Sequence, residues 1–275
     1  MRNLDKLAYD LRKDTLDLIM SGKCGHIGGD MSVMEILVAI YDRLRISPTQ
    51  LDAPNRDRFV LSKGHCVEAL YAILADKGFL DLQEVTDSYS KFGSKYIGHP
   101  TNKVAGVEMN SGSLGHGLSV CVGMALAGKR DNADYRVYTV MGDGELAEGS
   151  IWEAAMAASH FKLDNLCAVV DRNRLQISGC TEDVMAHEDL HDRFRSFGWH
   201  VINVVNGNSI SQLQAAFDEA ENTKGKPTVL IANTIKGCGS SVMENKAGWH
   251  HKVPTAEEYA MIVADFTARK EALAH

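Results

Sequence analysis

Between Val137 and Ser178 an apolar strand, VYTVM, runs into the acidic glycine turn Gly142-Asp143-Gly144, then a helix, a second apolar strand and the polar turn DRNRLQISG. A strand–helix–strand unit of this length brings its second strand back parallel to the first. The same alternation fills the second half of the chain. Strands are expected there at Arg136–Met141, Leu166–Asp171, Val201–Val205 and Thr228–Thr234, with helices at Ser150–Phe161, Glu188–Phe197 and Ser209–Glu221, and a short buried-type strand is expected earlier at Arg58–Leu61. The pattern predicts an α/β fold, a parallel sheet with helices on both faces. At 275 residues the chain is long enough to bury one large core, so a single domain over residues 1–275 is expected.

The flanks are irregular and rich in glycine. An amphipathic helix is expected from Leu4 to Ile19, stopping at SGKCGHIGGD. Ser32 and Glu35 have the spacing of a capping box and predict the start of the next helix, which runs to about Tyr41. A helix is expected from Cys66 to Ala75, a weaker one over Leu82–Ser90, and one rich in small residues over Gly117–Gly128. Phe92 to Gly117 and Lys236 to Val253 read as long loops, and a compact domain rarely keeps such loops without a use for them. A last helix begins at Thr255.

Asp143 and Asn173 each stand just beyond a strand, one crossover apart, so both reach the carboxyl edge of the sheet, where ligands of parallel sheets bind. A carboxylate oxygen, an amide oxygen and a backbone carbonyl are hard donors that suit Mg²⁺ or another divalent cation. Gly142 and Gly144 let the backbone approach a phosphate. The turn also fits a dinucleotide-binding pattern, with Asp171 as the ribose-binding acid. Asp143 and Glu145 would then repel a bare pyrophosphate, an objection that a bridging cation removes. His26, His65 and His99 lie beside glycines in loops rather than on apolar helix faces, and His250 and His251 lie in the late loop. His160, His187, His191, His200 and His275 read as solvated or structural, and Trp152 as core packing.

The net charge of −7 gives no reason to expect nucleic acid or an anionic membrane. No apolar run reaches the length of a membrane span, and the charged N-terminus lacks the apolar centre of a secretory leader. Six scattered cysteines, none in a CxxC pair, read as reduced, mostly buried thiols of a cytoplasmic protein.

With GDGELAEG followed by DRNRLQISG, and with SGKCGHIGGDMS, LSKGHC, IGHPT, NSGSLGHG and KGCGSSVMENKAGWHHKVP in that order, the chain resembles the transketolase family along essentially its whole length. The resemblance implies a thiamine diphosphate PP domain, the part that grips the cofactor's diphosphate. It implies Asp143, Asn173 and the Leu175 carbonyl as Mg²⁺ ligands. Gly142, Gly144 and Glu145 would belong to the diphosphate turn, with Ser113, Leu114, Gly115 and His65 beside the cofactor. It further implies His26, His65, His99 and His250 as histidines of the substrate channel, with His251 an adjacent candidate, and leaves the role of His116 open. The implied reaction moves a two-carbon ketol unit from a ketose to an aldose, each a sugar or sugar phosphate. Family members more than twice as long continue into a pyrimidine-binding domain that carries a glutamate needed for cofactor activation. The chain is therefore expected to be the N-terminal subunit of a split transketolase, active with a C-terminal partner in a two-plus-two heterotetramer. A related split synthase or 2-oxo acid dehydrogenase component, or a non-catalytic subunit, are the alternatives.

Overall fold

Five strands form one parallel sheet, in the spatial order Arg58–Leu61, Val137–Gly142, Leu166–Arg172, Thr228–Asn233, His200–Val204, in a computed structural model that describes residues 2–273. Helix α1 (Leu4–Gly22) starts on the Asn3 side chain, and α2 (Ile27–Arg43) follows it. β1 (Arg58–Leu61) then leads through one tight helical turn into α3 (Val67–Asp76), and α4 (Leu82–Ser88) follows. Residues 89–116 carry no helix or strand, as their composition leads one to expect. α5 (Gly117–Arg130) precedes β2 (Val137–Gly142), α6 (Gly149–His160) and β3 (Leu166–Arg172). A small antiparallel ladder, β4 (Leu175–Gln176) with β5 (Gly179–Cys180), and the short helices α7 (Thr181–Val184) and α8 (Leu190–Ser196) come next. β6 (His200–Val204), α9 (Ile210–Asn222), β7 (Thr228–Asn233) and α10 (Ala256–Ala272) complete the order.

Side chains alternate across the strands and build two cores. Phe59, Leu61, Tyr138, Val140, Cys167, Val169 and Leu230 pack with α2, α3 and α9 on one face. Val60, Met141, Ala168, Val170 and Ile231 pack with α5, α6 and α8 on the other. Both faces are thus covered, which is why the strands read as continuous apolar runs. Among the described residues, no helix is long and apolar enough to cross a membrane. The cysteines are free, and Cys66, Cys121, Cys167 and Cys238 are buried.

One helix start differs from expectation. α2 begins at Ile27 on His26, not at Ser32, and takes Gly28 and Gly29 into its first turn. Glycine is a poor helix former, but both positions are pressed by neighbours. A Cβ on Gly28 would lie 2.6 Å from the Trp249 carbonyl oxygen, and one on Gly29 would lie 2.7 Å from Cys66 Sγ. Ser32 and Glu35 are instead buried inside the helix. Ser32 Oγ donates to Asp171 at 2.7 Å, and Glu35 pairs with Arg12 at 2.6 Å. Those partners lie far away in sequence, so the capping-box spacing was coincidental.

Candidate active site

The carboxyl ends of β1, β2, β3 and β7 all open on one cavity of about 360 Å³. β1 delivers Lys63 and His65 to it, β2 delivers Gly142 to Glu145, β3 delivers Asn173 and Leu175, and Lys236 follows β7. His26, His99 and His250 close it from three separate loops. The register aligns Gly142 with Asp171, so Asp143 and Asn173 leave neighbouring strands at nearly one level.

Asp143 is 4% exposed and tightly held. Its Oδ1 accepts from the Gly144 N–H at 2.9 Å, and its Oδ2 accepts from the Arg174 N–H at 2.7 Å and the Thr181 hydroxyl at 3.3 Å. Asn173 Nδ2 donates to Ser32 Oγ at 3.3 Å, while its Oδ1 accepts from the Leu175 N–H at 3.2 Å. Ser32 therefore fixes which way the Asn173 amide points, because its hydroxyl already donates to Asp171 and can only accept from Asn173. Asp171 is fully buried, and also takes the Lys63 ammonium and the Thr234 hydroxyl. That placement removes Asp171 from any contact with a ribose and so corrects the dinucleotide alternative.

The donors fit a hard cation carrying a diphosphate. Asp143 Oδ, Asn173 Oδ1 and the Leu175 carbonyl come from two adjacent turns, and all are oxygens. Among the described residues, no group of three His, Cys, Asp or Glu side chains gathers in a metal-holding cluster, so a cation here needs its remaining ligands from a bound molecule. Gln176 Oε1 is buried without a partner among the described residues and lies 2.9 Å from where a Cβ on Gly144 would sit. At Gly142 the nearest atom to such a Cβ is Lys63 Cβ at 4.0 Å, which leaves the backbone open to the cavity.

Glu145 is also buried, but its carboxylate faces the protein. It accepts from the Ser62 hydroxyl, from the Gly115 N–H at 2.9 Å and from the Gly142 N–H at 3.1 Å, tying three loops together. Glu145 therefore shapes the turn, and any contact it makes with a ligand runs through the backbone it holds. Leu114 lines the cavity, Ser113 is exposed, and Gly115 is turned towards Glu145 and Glu148. His116 is exposed at the start of α5, its Nδ1 3.1 Å from the Leu114 carbonyl oxygen.

The loop histidines meet. The His26 ring lies 5.2 Å from that of His65, 5.9 Å from His99, 5.7 Å from His250 and 4.7 Å from His251, measured between ring centres. His65 stacks on His250 at 5.5 Å. Burial, with neighbouring histidines and the two lysines, pushes His26 down to about 4. Burial, then the charge of Lys236, pushes His250 down to about 3, and burial and Lys63 hold His65 well below its usual range. Burial alone lowers His99. Each of these shifts favours the neutral ring, which can both donate and accept. His250 lines the cavity, whereas His251 reaches His26 from an exposed position.

Lys63 and Lys236, 1% and 2% exposed, are among the cavity residues that the sequence did not announce. Each precedes a glycine in a histidine-bearing loop, a weak signal in hindsight. Of the remaining histidines, His160 is exposed, His191 and His200 pair with Asp189 and Glu219, and His187 is buried. His275 lies outside the described residues. Trp152 packs on Phe194 and Phe197 and donates to the Leu146 carbonyl at 2.9 Å, as a core residue should.

Known proteins share this sequence and fold. The family model described as "Transketolase, thiamine diphosphate binding domain" matches residues 5–269. One of the subunits of an apulose-4-phosphate transketolase from Phocaeicola vulgatus is 52% identical over 263 residues, covering 95% of this chain and 93% of that protein. A counterpart from a 6-deoxy-6-sulfo-D-fructose transketolase of a Clostridium species, also named as a subunit, is 42% identical, with 96% of each chain covered. The solved transketolase of Leishmania mexicana superposes with a TM-score of 0.91 at 31% identity, over 97% of this chain but only 42% of its own. The chain thus spans less than half the length of that transketolase.

Proposed function

The chain belongs to the transketolase family, as a counterpart of its N-terminal thiamine diphosphate-binding domain, and on that premise we propose that it is the diphosphate-holding subunit of a split transketolase. It forms one domain over residues 1–275 and works in the cytoplasm with a second chain that supplies the pyrimidine-binding domain. The observation that carries this reading is that Asp143, Asn173 and Leu175 line one cavity at the sheet edge together with His26, His65, His99 and His250.

Asp143, Asn173 and the Leu175 carbonyl would hold Mg²⁺ or a similar cation, leaving its other positions to diphosphate oxygens and water. Gly142 and Gly144 would admit those oxygens to the backbone. Leu114, from the loop that also contains Ser113 and Gly115, would border the cofactor's rings together with His65. The chemistry a bound thiamine diphosphate supplies is an activated carbon that accepts a two-carbon ketol unit from a ketose and passes it to an aldose. The protein's part is to orient the sugar and move its protons. His26, His65, His99 and His250 are placed for that work, since a neutral imidazole can take a proton from a sugar hydroxyl or give one to a carbonyl oxygen.

The partner is inferred from several features. Relatives that match along their full length are named as subunits, while the solved transketolase is more than twice as long. Val120 on α5, Met156 on α6 and Ile177 at the cavity mouth expose apolar surface, 37%, 54% and 74% respectively, in places where a second chain would cover it. A two-plus-two assembly would repeat these contacts about a twofold axis.

Turnover tests the reading. The chain co-purified with its partner should transfer ketol units when screened against ketose donors and aldose acceptors, phosphorylated and unphosphorylated. A complex that instead decarboxylates 2-oxo acids without ketol transfer would contradict it. Within the active complex, His99→Ala should lower kcat by about 100-fold, the usual worth of a positioned acid or base, with little change in cofactor affinity. Equal loss of cofactor binding would remove His99 from the reacting end.

A further inference from the structure

Two acids are buried where no cation pairs with them. Asp30 on α2 and Glu68 on α3 are both 0% exposed, and the buried ammonium of Lys63 pairs with Asp171 instead. Asp30 Oδ1 accepts from the Ala69 N–H at 3.1 Å, in the first turn of α3. Ala69 follows Glu68, so the two carboxyl groups come within hydrogen-bonding reach of each other. Glu68 Oε1 accepts from the Tyr89 hydroxyl. The two remaining oxygens, Asp30 Oδ2 and Glu68 Oε2, are buried and have no donor among the described residues.

This arrangement has room for one proton. With none, two like charges would meet in the interior without water or a paired cation to offset them. With two, the second O–H would have to displace the Tyr89 or the Ala69 donor. A single proton between Oδ2 and Oε2 satisfies both orphaned oxygens at once. Burial, above every other influence, pushes both acids towards the protonated form. The one charge that remains sits at the N-terminus of α3, whose free N–H groups favour it. Facing the pair are Tyr71 on α3, Tyr89 after α4, Cys24 before α2 and Cys66 before α3, none of them a cation, with the ammonium groups of Lys63 and Lys236 at longer range.

We infer that Asp30 and Glu68 are positioning residues, an acid–carboxylate bridge that shares one proton, ties α2 to α3 and fixes the loops bearing His26, His65 and His99. α2 begins on His26, and a Cβ on the preceding Gly25 would lie 2.8 Å from Glu68 Oε1, so the backbone of that loop rests on the bridge. His65 lies three residues before Glu68, in the turn that enters α3. Tyr89 extends the bridge to the third loop, where a Cβ on Gly98 would lie 3.7 Å from its hydroxyl. Tyr71 fastens the same loop by donating to the Ile97 carbonyl at 3.1 Å. Neither acid lines the cavity, so their effect on the reaction runs through the loops they hold. That link to the reaction rests on the transketolase reading, whereas the shared proton does not.

Infrared difference spectra of the full chain read the proton directly. At neutral pH the unsubstituted chain should show a protonated-carboxyl band that both Asp30→Asn and Glu68→Gln lose, because each amide supplies the bridging hydrogen permanently and leaves its partner ionised. Unfolding gives a second reading. The folded pair holds its proton to higher pH than the unfolded acids do, so the stability that proton brings is complete below their ordinary range and fades as pH rises. Between about pH 5 and pH 7 the unfolding constant of the unsubstituted chain should therefore rise about tenfold per pH unit relative to that of Asp30→Asn. In the active complex Asp30→Ala should lower kcat about 10-fold, whereas Asp30→Asn should keep it within about twofold. If Asp30→Ala does not fold, Glu68→Ala takes its place, compared with Glu68→Gln. A missing band, a band that survives in both amide variants, or a difference in unfolding that does not vary with pH would overturn the shared proton. Equal kcat in the alanine and amide variants would overturn the positioning role. Because the spectra and the unfolding need no substrate, absence of ketol transfer would count against the proposed function alone.

Discussion

Asp143→Asn will abolish the metal dependence of cofactor binding while leaving the fold intact. The substitution keeps the shape of the side chain but only one accepting oxygen, so either the Gly144 N–H on Oδ1 or the Arg174 N–H and Thr181 hydroxyl on Oδ2 lose their acceptor, a cost of about 1–3 kcal/mol that a core of this size tolerates. It removes the one carboxylate that the structure aims at the proposed cation. Asn173 and the Leu175 carbonyl are neutral donors, and Glu145 is spent on Ser62, Gly115 and Gly142. The neighbouring cations Lys63 and Lys236 would then face the site with one fewer counter-charge. Affinity for thiamine diphosphate in the presence of Mg²⁺ should fall by about 100-fold or more, with turnover falling at least as far. Calorimetric titrations at several Mg²⁺ concentrations, with the unfolding midpoint as control, check this. If the affinity of the Asp143→Asn protein still rises with Mg²⁺ as in the unsubstituted chain, the assignment of Asp143 is wrong.

Arg12→Met should produce the largest loss of stability. Arg12 is fully buried, and its guanidinium makes two parallel bonds of 2.6 Å to the Glu35 carboxylate. It also donates to the Met31 carbonyl at 3.0 Å and the Cys238 carbonyl at 3.1 Å. One side chain of α1 thereby fastens α2 to the late loop that holds Lys236 and His250. Asn208, from the turn before α9, adds a bond to Glu35 at 2.8 Å. Removing the guanidinium strands the Glu35 charge in the interior, a change that costs about 3–5 kcal/mol. Replacing both partners, as in Arg12→Met with Glu35→Leu, should recover much of that loss because no unpaired charge is left. Urea unfolding of the three proteins measures the difference. A loss below about 1 kcal/mol in Arg12→Met would show that the pair does not clamp the loop.

The α/β architecture was legible because the central strands are buried on both faces, which makes Leu166–Val170 and Val229–Ala232 unbroken apolar runs and leaves Val137–Met141 broken only by Thr139. Their ends differ from expectation by a residue, since Gly142 and Arg172 still pair with their neighbours. Asp143 and the loop histidines could be picked out because each lies in a glycine-rich stretch where a packing role is hard to argue, and Asn173 because it stands just past the next strand, one crossover from Asp143. What stayed hidden depends on partners distant in sequence. Ser32 looked like a cap because its spacing to Glu35 is that of a cap, and only Asp171, 139 residues on, shows why it is buried. Lys63 and Lys236 drew no reading at all, since nothing local reveals that one meets Asp171 and the other His250. Gln176 was overlooked for the same reason, as its buried amide oxygen acquires meaning only beside Gly144.

The central claim is that one end of the cofactor belongs to this chain and the other to a partner. A diffraction structure of the chain co-crystallised with its partner, thiamine diphosphate and Mn²⁺ as an anomalous substitute for Mg²⁺ tests it most directly. One metal peak is expected about 2.1 Å from Asp143, Asn173 and the Leu175 carbonyl, a hard cation's distance from its ligands. The diphosphate is expected on Gly142–Gly144, and the aminopyrimidine on a carboxylate of the other polypeptide. A metal bound elsewhere, or a cofactor enclosed wholly by this chain, would contradict the claim.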